Sequence, residues 1–302
     1  MTLQGSRSVL DFAVSRFARL YPAFWVSVLL TTTIAVSYPL PNQIVTLGQV
    51  FVNLTMLQSY LGVPAVEPVY WSLTFELSFY VLVAIVFGYG LIRRIELFCI
   101  GWVALSIALF KISGIGGYLP WRLSAALCLP YASLFFAGIL YYKTWSEGVT
   151  PSRVVLLVCC YLDSIIDTHL IGVTVCMTGI FIVFSTCVAG YGKWFKSRPL
   201  VFLGGISYSL YLVHDTMGRR LIVLGDSLGL SASVSAIVAI ALVLITATAI
   251  TFFVERPANR ALNSPLTKCG FDQAGSSAIT ITGTAKPSSD ATTRIIAAVC
   301  PV

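Results

Sequence analysis

The sequence predicts an all-α fold, a polytopic transmembrane helical bundle of about eight spans. Three observations carry this expectation. Hydrophobic residues make up 57% of the 302 positions and charged residues only 10%. Soluble domains carry roughly 25% charged residues, so a soluble fold of this size lacks the polar groups to cover its surface. The apolar residues also come in runs near the roughly 20 positions that a helix needs to cross a bilayer. Lys and Arg fall between those runs in ones, twos and threes, as they do when they orient helices in a membrane. The net charge of +7 forms no basic stripe interleaved with aromatics, which argues against a nucleic-acid partner.

In chain order, the expected spans cover residues 20–38, 69–91, 95–111, 123–142, 153–168, 170–190, 200–217 and 233–254. The first opens on Leu20-Tyr21-Pro22. The stretch 44–62 is moderately apolar but broken by Gly48, Asn53 and Gly62, so it reads as a surface or re-entrant helix. Span 153–168 is the weakest, being short and carrying Asp163 and Asp167. Span 233–254 is the strongest, with small apolar residues and no charge. Tyr21, Trp25, Tyr70, Trp71, Tyr141, Tyr142, Trp145, Tyr191 and Trp194 cluster at the expected ends, where aromatic rings meet headgroups. With the N-terminus in the cytoplasm, only Lys111, Arg122, Arg219 and Arg220 of the 19 basic residues face outward. Both termini are therefore expected inside. Residues 1–263 form the transmembrane domain. Residues 264–302, rich in Ser, Thr, Ala and Gly with Pro265, Pro287 and Pro301, read as a disordered polar tail.

Six of the eight cysteines (Cys99, Cys128, Cys159, Cys160, Cys176 and Cys187) lie in apolar runs, and no CxxC pair occurs. This points to neither a disulfide framework nor a metal site. Asn53-Leu54-Thr55 is a glycosylation sequon.

Ionisable residues inside spans are costly and so are functional candidates by default. Glu76 lies in Tyr70-Trp71-Ser72-Leu73-Thr74-Phe75-Glu76, with Ser72, Phe79 and Tyr80 on its helical face. It reads either as a group that orients a base or binds a hydroxyl, or as a helix-locking partner of an arginine. His214 lies in Ser207-Tyr208-Ser209-Leu210-Tyr211-Leu212-Val213-His214-Asp215 and shares a face with Ser207 and Tyr211. An imidazole titrates near neutrality, which suits it to general-base work. His169 reads as a solvated loop residue. Arg16 and Arg19, three apart on one helix face, read from spacing alone as orientation anchors, and in the functional alternative as a fork for phosphates. Arg219 and Arg220, basic on the outside, could meet Asp215, Asp226 or an anionic acceptor.

Four passages taken together resemble the acyltransferase 3 family of membrane-bound acyltransferases. They are Arg16-Phe17-Ala18-Arg19-Leu20-Tyr21-Pro22, Tyr70-Trp71-Ser72-Leu73 through Glu76 to Phe79-Tyr80, Gly205 through His214, and Val254-Glu255-Arg256-Pro257. The likeness covers about residues 8–262. It implies transfer of an acyl group, often acetyl, from acyl-coenzyme A as co-substrate to hydroxyls of a polysaccharide or other glycoside acceptor, with no bound cofactor and no metal. It further implies a cell (inner) membrane location. Arg16 and Arg19 would bind the acyl donor, Glu76 and His214 would be catalytic, and Trp71, Ser72, Ser207 and Tyr211 would line the pocket. Family members usually begin with two more spans, the first bearing an arginine and the histidine taken as base. The present sequence is expected to lack that pair. A multi-span transporter or flippase and a non-catalytic membrane subunit stay open as alternatives. Oligomeric state is not legible in the sequence.

Overall fold

A computed structural model describes residues 8–38, 45–112, 118–166 and 170–262. The expected polar tail, and the turn with Asp167 and His169, lie outside the described residues. The described chain is all-helical, with no strand, and divides into two units, Met1–Thr74 with Val201–Val302, and Phe75–Leu200.

In the first unit, α1 (Val9–Ser37) opens at Ser8, whose hydroxyl accepts the Asp11 N–H at 3.1 Å. Its 29 residues make a rod of about 44 Å at 1.5 Å per residue, longer than a hydrocarbon core of about 30 Å. Helix α2 (Leu47–Leu54) begins with a Thr46–Gln49 capping box, and α3 (Gln58–Leu61) ends at left-handed Gly62. Of the residues expected to break 44–62, Gly48 and Asn53 instead lie inside α2, Gly62 ends α3, and the break between the two helices falls at residues 55–57. The last carbonyls of a helix have no intrahelical donor. Here Tyr21 Oη donates to the Thr55 carbonyl at 3.1 Å and Trp25 Nε1 to that of Leu54 at 2.9 Å. A single turn, Pro68–Tyr70, leads into α4 (Trp71–Gly88), which passes from the first unit into the second.

The second unit holds α5 (Ile95–Ile107), α6 (Trp121–Ala126), α7 (Ala132–Glu147), α8 (Pro151–Ile165) and α9 (Ile171–Val188). Span 123–142 is not continuous. Pro130 removes a backbone donor and disfavours helix at Leu129, and Cys128 sits at a left-handed φ of 48°. Again a neighbouring helix serves the break. Trp102 Nε1 donates to the Leu127 carbonyl at 2.7 Å and the Ser106 hydroxyl to that of Leu129 at 2.5 Å. At one end of this unit Arg153 binds Glu96 and Glu147, while Lys143 reaches Glu96 at 3.2 Å and Glu147 at 3.1 Å. Helix α9 carries no charged residue and buries none of its residues within the chain, as a lipid-facing helix does.

Helix α10 (Arg198–Ser227) re-enters the first unit, and α11 (Ala232–Ile250) follows. The buried face of α11 is small, with Ser235, Ala239, Val243 and Ala247 four apart, while Ile237, Ile240 and Ile245 point outward. Close packing on small residues with large apolar groups outside is the arrangement favoured in lipid. A π turn, Thr251–Glu255, extends α11 toward Leu262.

Among the described residues, four helical segments are long and apolar enough to cross a membrane: Val9–Ser37, Pro68–Gly88, Ile171–Val188 and Ala232–Leu262. Of the other expected spans, 95–111 is a shorter apolar helix, 123–142 is split, 153–168 becomes the 15-residue α8, and 200–217 is part of the 30-residue α10.

Candidate functional site

The first unit brings three of its helices together around the turn that precedes α4. That turn is held from below by Asn53. Its Nδ2 donates to the carbonyls of Gln49 at 2.8 Å and Pro64 at 3.1 Å, and its Oδ1 accepts the Val66 N–H at 3.0 Å. The sequon asparagine is thus fully buried and committed.

The next residue, Glu67, is also fully buried. Its Oε1 accepts the N–H of Thr216, inside α10, at 3.0 Å, and its Oε2 faces the Thr31 hydroxyl of α1 at 3.4 Å. Burial pushes this carboxyl up from its ordinary range, against the pull of the Thr216 hydrogen bonds. Three residues on, the Tyr70 and Ser27 hydroxyls pair at 2.8 Å. Tyr211 Oη donates to the Val69 carbonyl and lies 2.6 Å from Ser72 Oγ. Segment 67–72 is therefore fastened to α1 on one side and to residues 211–216 of α10 on the other.

Two residues expected to line a pocket, Ser72 and Tyr211, are in direct contact, and Trp71 beside them is half-exposed. His214 is exposed, with Nδ1 2.9 Å from the Tyr211 carbonyl of its own turn. A ring with Nδ1–H donating there keeps its lone pair on Nε2, turned away from the helix. Asp215 pairs with Arg219, and Arg220 is buried with a terminal nitrogen 3.5 Å from the Ile34 carbonyl. Ser207 donates to the Gly204 carbonyl at 2.8 Å within its own helix. Glu76 belongs to the second unit, where it accepts the Tyr80 hydroxyl at 2.6 Å.

A second polar group lies elsewhere in the first unit. Glu255, on the π turn, accepts the Ser209 hydroxyl at 3.0 Å, and Thr251 donates to Ser209 at 2.9 Å. Arg19 and Arg256 both stand within electrostatic reach of Glu255. Arg256 lies over the Phe252 ring at 4.0 Å and against Gly205. Arg16 lies 5.7 Å from the Phe12 ring centroid. Tyr208 of α10 donates to the Leu20 carbonyl of α1 at 2.9 Å. Insertions of a π turn re-aim the side chains beyond them, here Glu255 and Arg256.

Sequence reasoning missed Glu67. The signal was present, because it is the lone acid of the apolar stretch 61–75. It fell just outside the expected span, where an acid attracts no notice. No metal-binding group of three or more His, Cys, Asp or Glu occurs among the described residues.

No family model, no curated protein and no solved structure matches the chain.

Proposed function

We propose that the chain is a membrane-bound acyltransferase that moves an acyl group, often acetyl, from acyl-coenzyme A to hydroxyls of a cell-surface polysaccharide or other glycoside. One observation carries the reading. Passages far apart in sequence, Arg16–Pro22, Trp71-Ser72, Gly205–His214 and Glu255-Arg256, meet in one unit through Tyr208 to Leu20, Tyr211 to Ser72, and Ser209 to Glu255. In this reading the chain makes eight spans in the cell membrane with both termini cytoplasmic. The donor's phosphates lie at Arg16 and Arg19.

From Gly205, against which Arg256 lies, to His214 is nine residues of α10, or about 14 Å of rise. An extended pantetheine arm covers a gap of that order. His214 Nε2 takes the proton of the acceptor hydroxyl, and the oxygen bonds to the thioester carbon. The carbon–sulfur bond then breaks, and the departing thiolate recovers the proton from the imidazolium. General-base help of this kind is typically worth about 10²–10⁴-fold. Exclusion of water protects the acyl group from hydrolysis.

The first test is binding of acetyl-coenzyme A to purified protein in detergent, wild type against Arg16→Ala/Arg19→Ala. Loss of at least about ten-fold in affinity, equivalent to about 1.4 kcal/mol, supports the donor site. Failure of the wild type to bind sinks the reading and moves the transporter alternative to first place.

A further inference from the structure

The buried carboxyl of Glu67 has no part in the reaction as described, yet it sits beside the segment of α10 that carries Tyr211 and His214. Its Oε1 holds the Thr216 N–H at 3.0 Å, two residues beyond His214. Helix-interior amides ordinarily serve the helix itself, so a side-chain acceptor aimed at one fixes that turn against whatever carries the acceptor. Here the carrier is the turn that also presents Trp71 and Ser72. The same turn holds Tyr211 through the Val69 carbonyl. His214 and Asp215 both lie within electrostatic reach of Glu67, as does Arg220. A helix lock alone needs no acid, since apolar pairs of similar volume hold helices as well or better than buried charges.

We propose, on the acyl-transfer reading above, that Glu67 is a positioning residue of the transfer site, which fixes the Tyr211–Thr216 turn of α10 through the Thr216 amide and keeps a carboxyl within electrostatic reach of the imidazole that accepts the acceptor's proton. The arrangement answers a physical need. When His214 takes a proton it gains a positive charge, and a fixed carboxyl within electrostatic reach favours that state. Thr31 and the Asn53-held loop keep the carboxyl from swinging away.

Glu67→Gln separates positioning with charge from a lock without it. Glutamine keeps the volume, its Oε1 still accepts from Thr216, and its amide N–H can donate to Thr31. The charge alone goes. Thiol release from acetyl-coenzyme A is followed in detergent with methyl α-glucoside and methyl β-galactoside as acceptors, beside thermal unfolding and donor binding. The expected result is a kcat at least about ten-fold lower, or about 1.4 kcal/mol, with acceptor KM, donor affinity and melting temperature unchanged. Glu67→Leu, which loses the acceptor for the Thr216 amide as well as the charge, should lose at least as much kcat. Wild-type kcat in Glu67→Gln overturns the inference and leaves acyl transfer standing. Absence of thiol release by the wild type with either acceptor overturns both.

Discussion

Replacing Asn53 with alanine is expected to destabilise the protein by several kcal/mol, although the residue takes no part in the proposed chemistry. The magnitude follows from its three hydrogen bonds. Oδ1 accepts the Val66 N–H at 3.0 Å, and Val66 itself is buried. Stranding a buried donor costs about 1–3 kcal/mol. The Nδ2 bonds to Gln49 and Pro64 are lost as well, each worth about 0.5–1.5 kcal/mol net. The Pro64 carbonyl keeps the Gln49 side chain at 3.1 Å, which softens one of the two. The sum is about 2–4 kcal/mol, a large share of the roughly 5–15 kcal/mol that holds a native fold.

Asn53→Asp sharpens the test. It retains an acceptor for Val66 but turns a second oxygen toward the Pro64 and Gln49 carbonyls, so that acceptor faces acceptor. It should destabilise at least as much as alanine. Thermal unfolding in detergent, followed by tryptophan fluorescence, reads both. At roughly 2–4 °C per kcal/mol for a chain of this size, the alanine variant should melt about 4 °C or more below wild type. An alanine variant that melts with the wild type would refute the hydrogen-bond account of this loop.

Three further outcomes are expected. Asn53, buried and hydrogen-bonded, should carry no glycan when the protein is expressed in eukaryotic cells, so a glycosidase-sensitive mass shift on folded protein would contradict its placement. A Cβ on Gly225 would run into the Ser235 side chain and lie 3.4 Å from its Cα, so Gly225→Ala should lose about 1–3 kcal/mol by overpacking despite a better helix propensity, and the paired Ser235→Gly change should restore much of the melting temperature. A hydrogen bond from Lys143, with help from Arg153, holds the Glu147 carboxyl below its usual range. Its contribution is present above the unfolded pKa and is lost as pH falls through the lowered folded value. Acidification across that interval should therefore lower the wild-type melting temperature more than that of Glu147→Gln, by an amount kept small by the exposure of Glu147.

What was legible in the sequence was the solvent and the helices, because both follow from composition and run length. The four segments long and apolar enough to cross a membrane each overlap an expected span. Helix ends were less legible. Helix α1 starts at Val9, well before the expected apolar span at residue 20, because Ser8 can cap it and helix propensity continues past the apolar limit. The split at Leu127–Tyr131 was written in Pro130, yet hydropathy alone averages over a single proline. For the candidate site, periodicity found Ser72, Tyr211 and His214. It could not find Glu67, whose partners lie on α1 and α10, far along the chain. Pairings at that separation leave no mark in local pattern.

The polar groups of this apolar chain fall into two kinds, and the distinction bears on which of them carry function. Non-helical backbone packed away from water needs donors from the protein itself. Tyr21 and Trp25 provide them at the end of α2, and Trp102 and Ser106 at the break before α7. In both units the solution is the same, a donor on a neighbouring helix aimed at carbonyls that a break has freed. These side chains answer a debt created by the backbone and need no further purpose. Glu67 reverses the relation. It is an acceptor, it engages an amide of the helical interior of α10, and no helix break there requires it. A polar group that no break in its partner helix calls for is the one whose presence has to be explained by chemistry, and that places Glu67 ahead of the other buried polar residues of this unit as the next target for mutation.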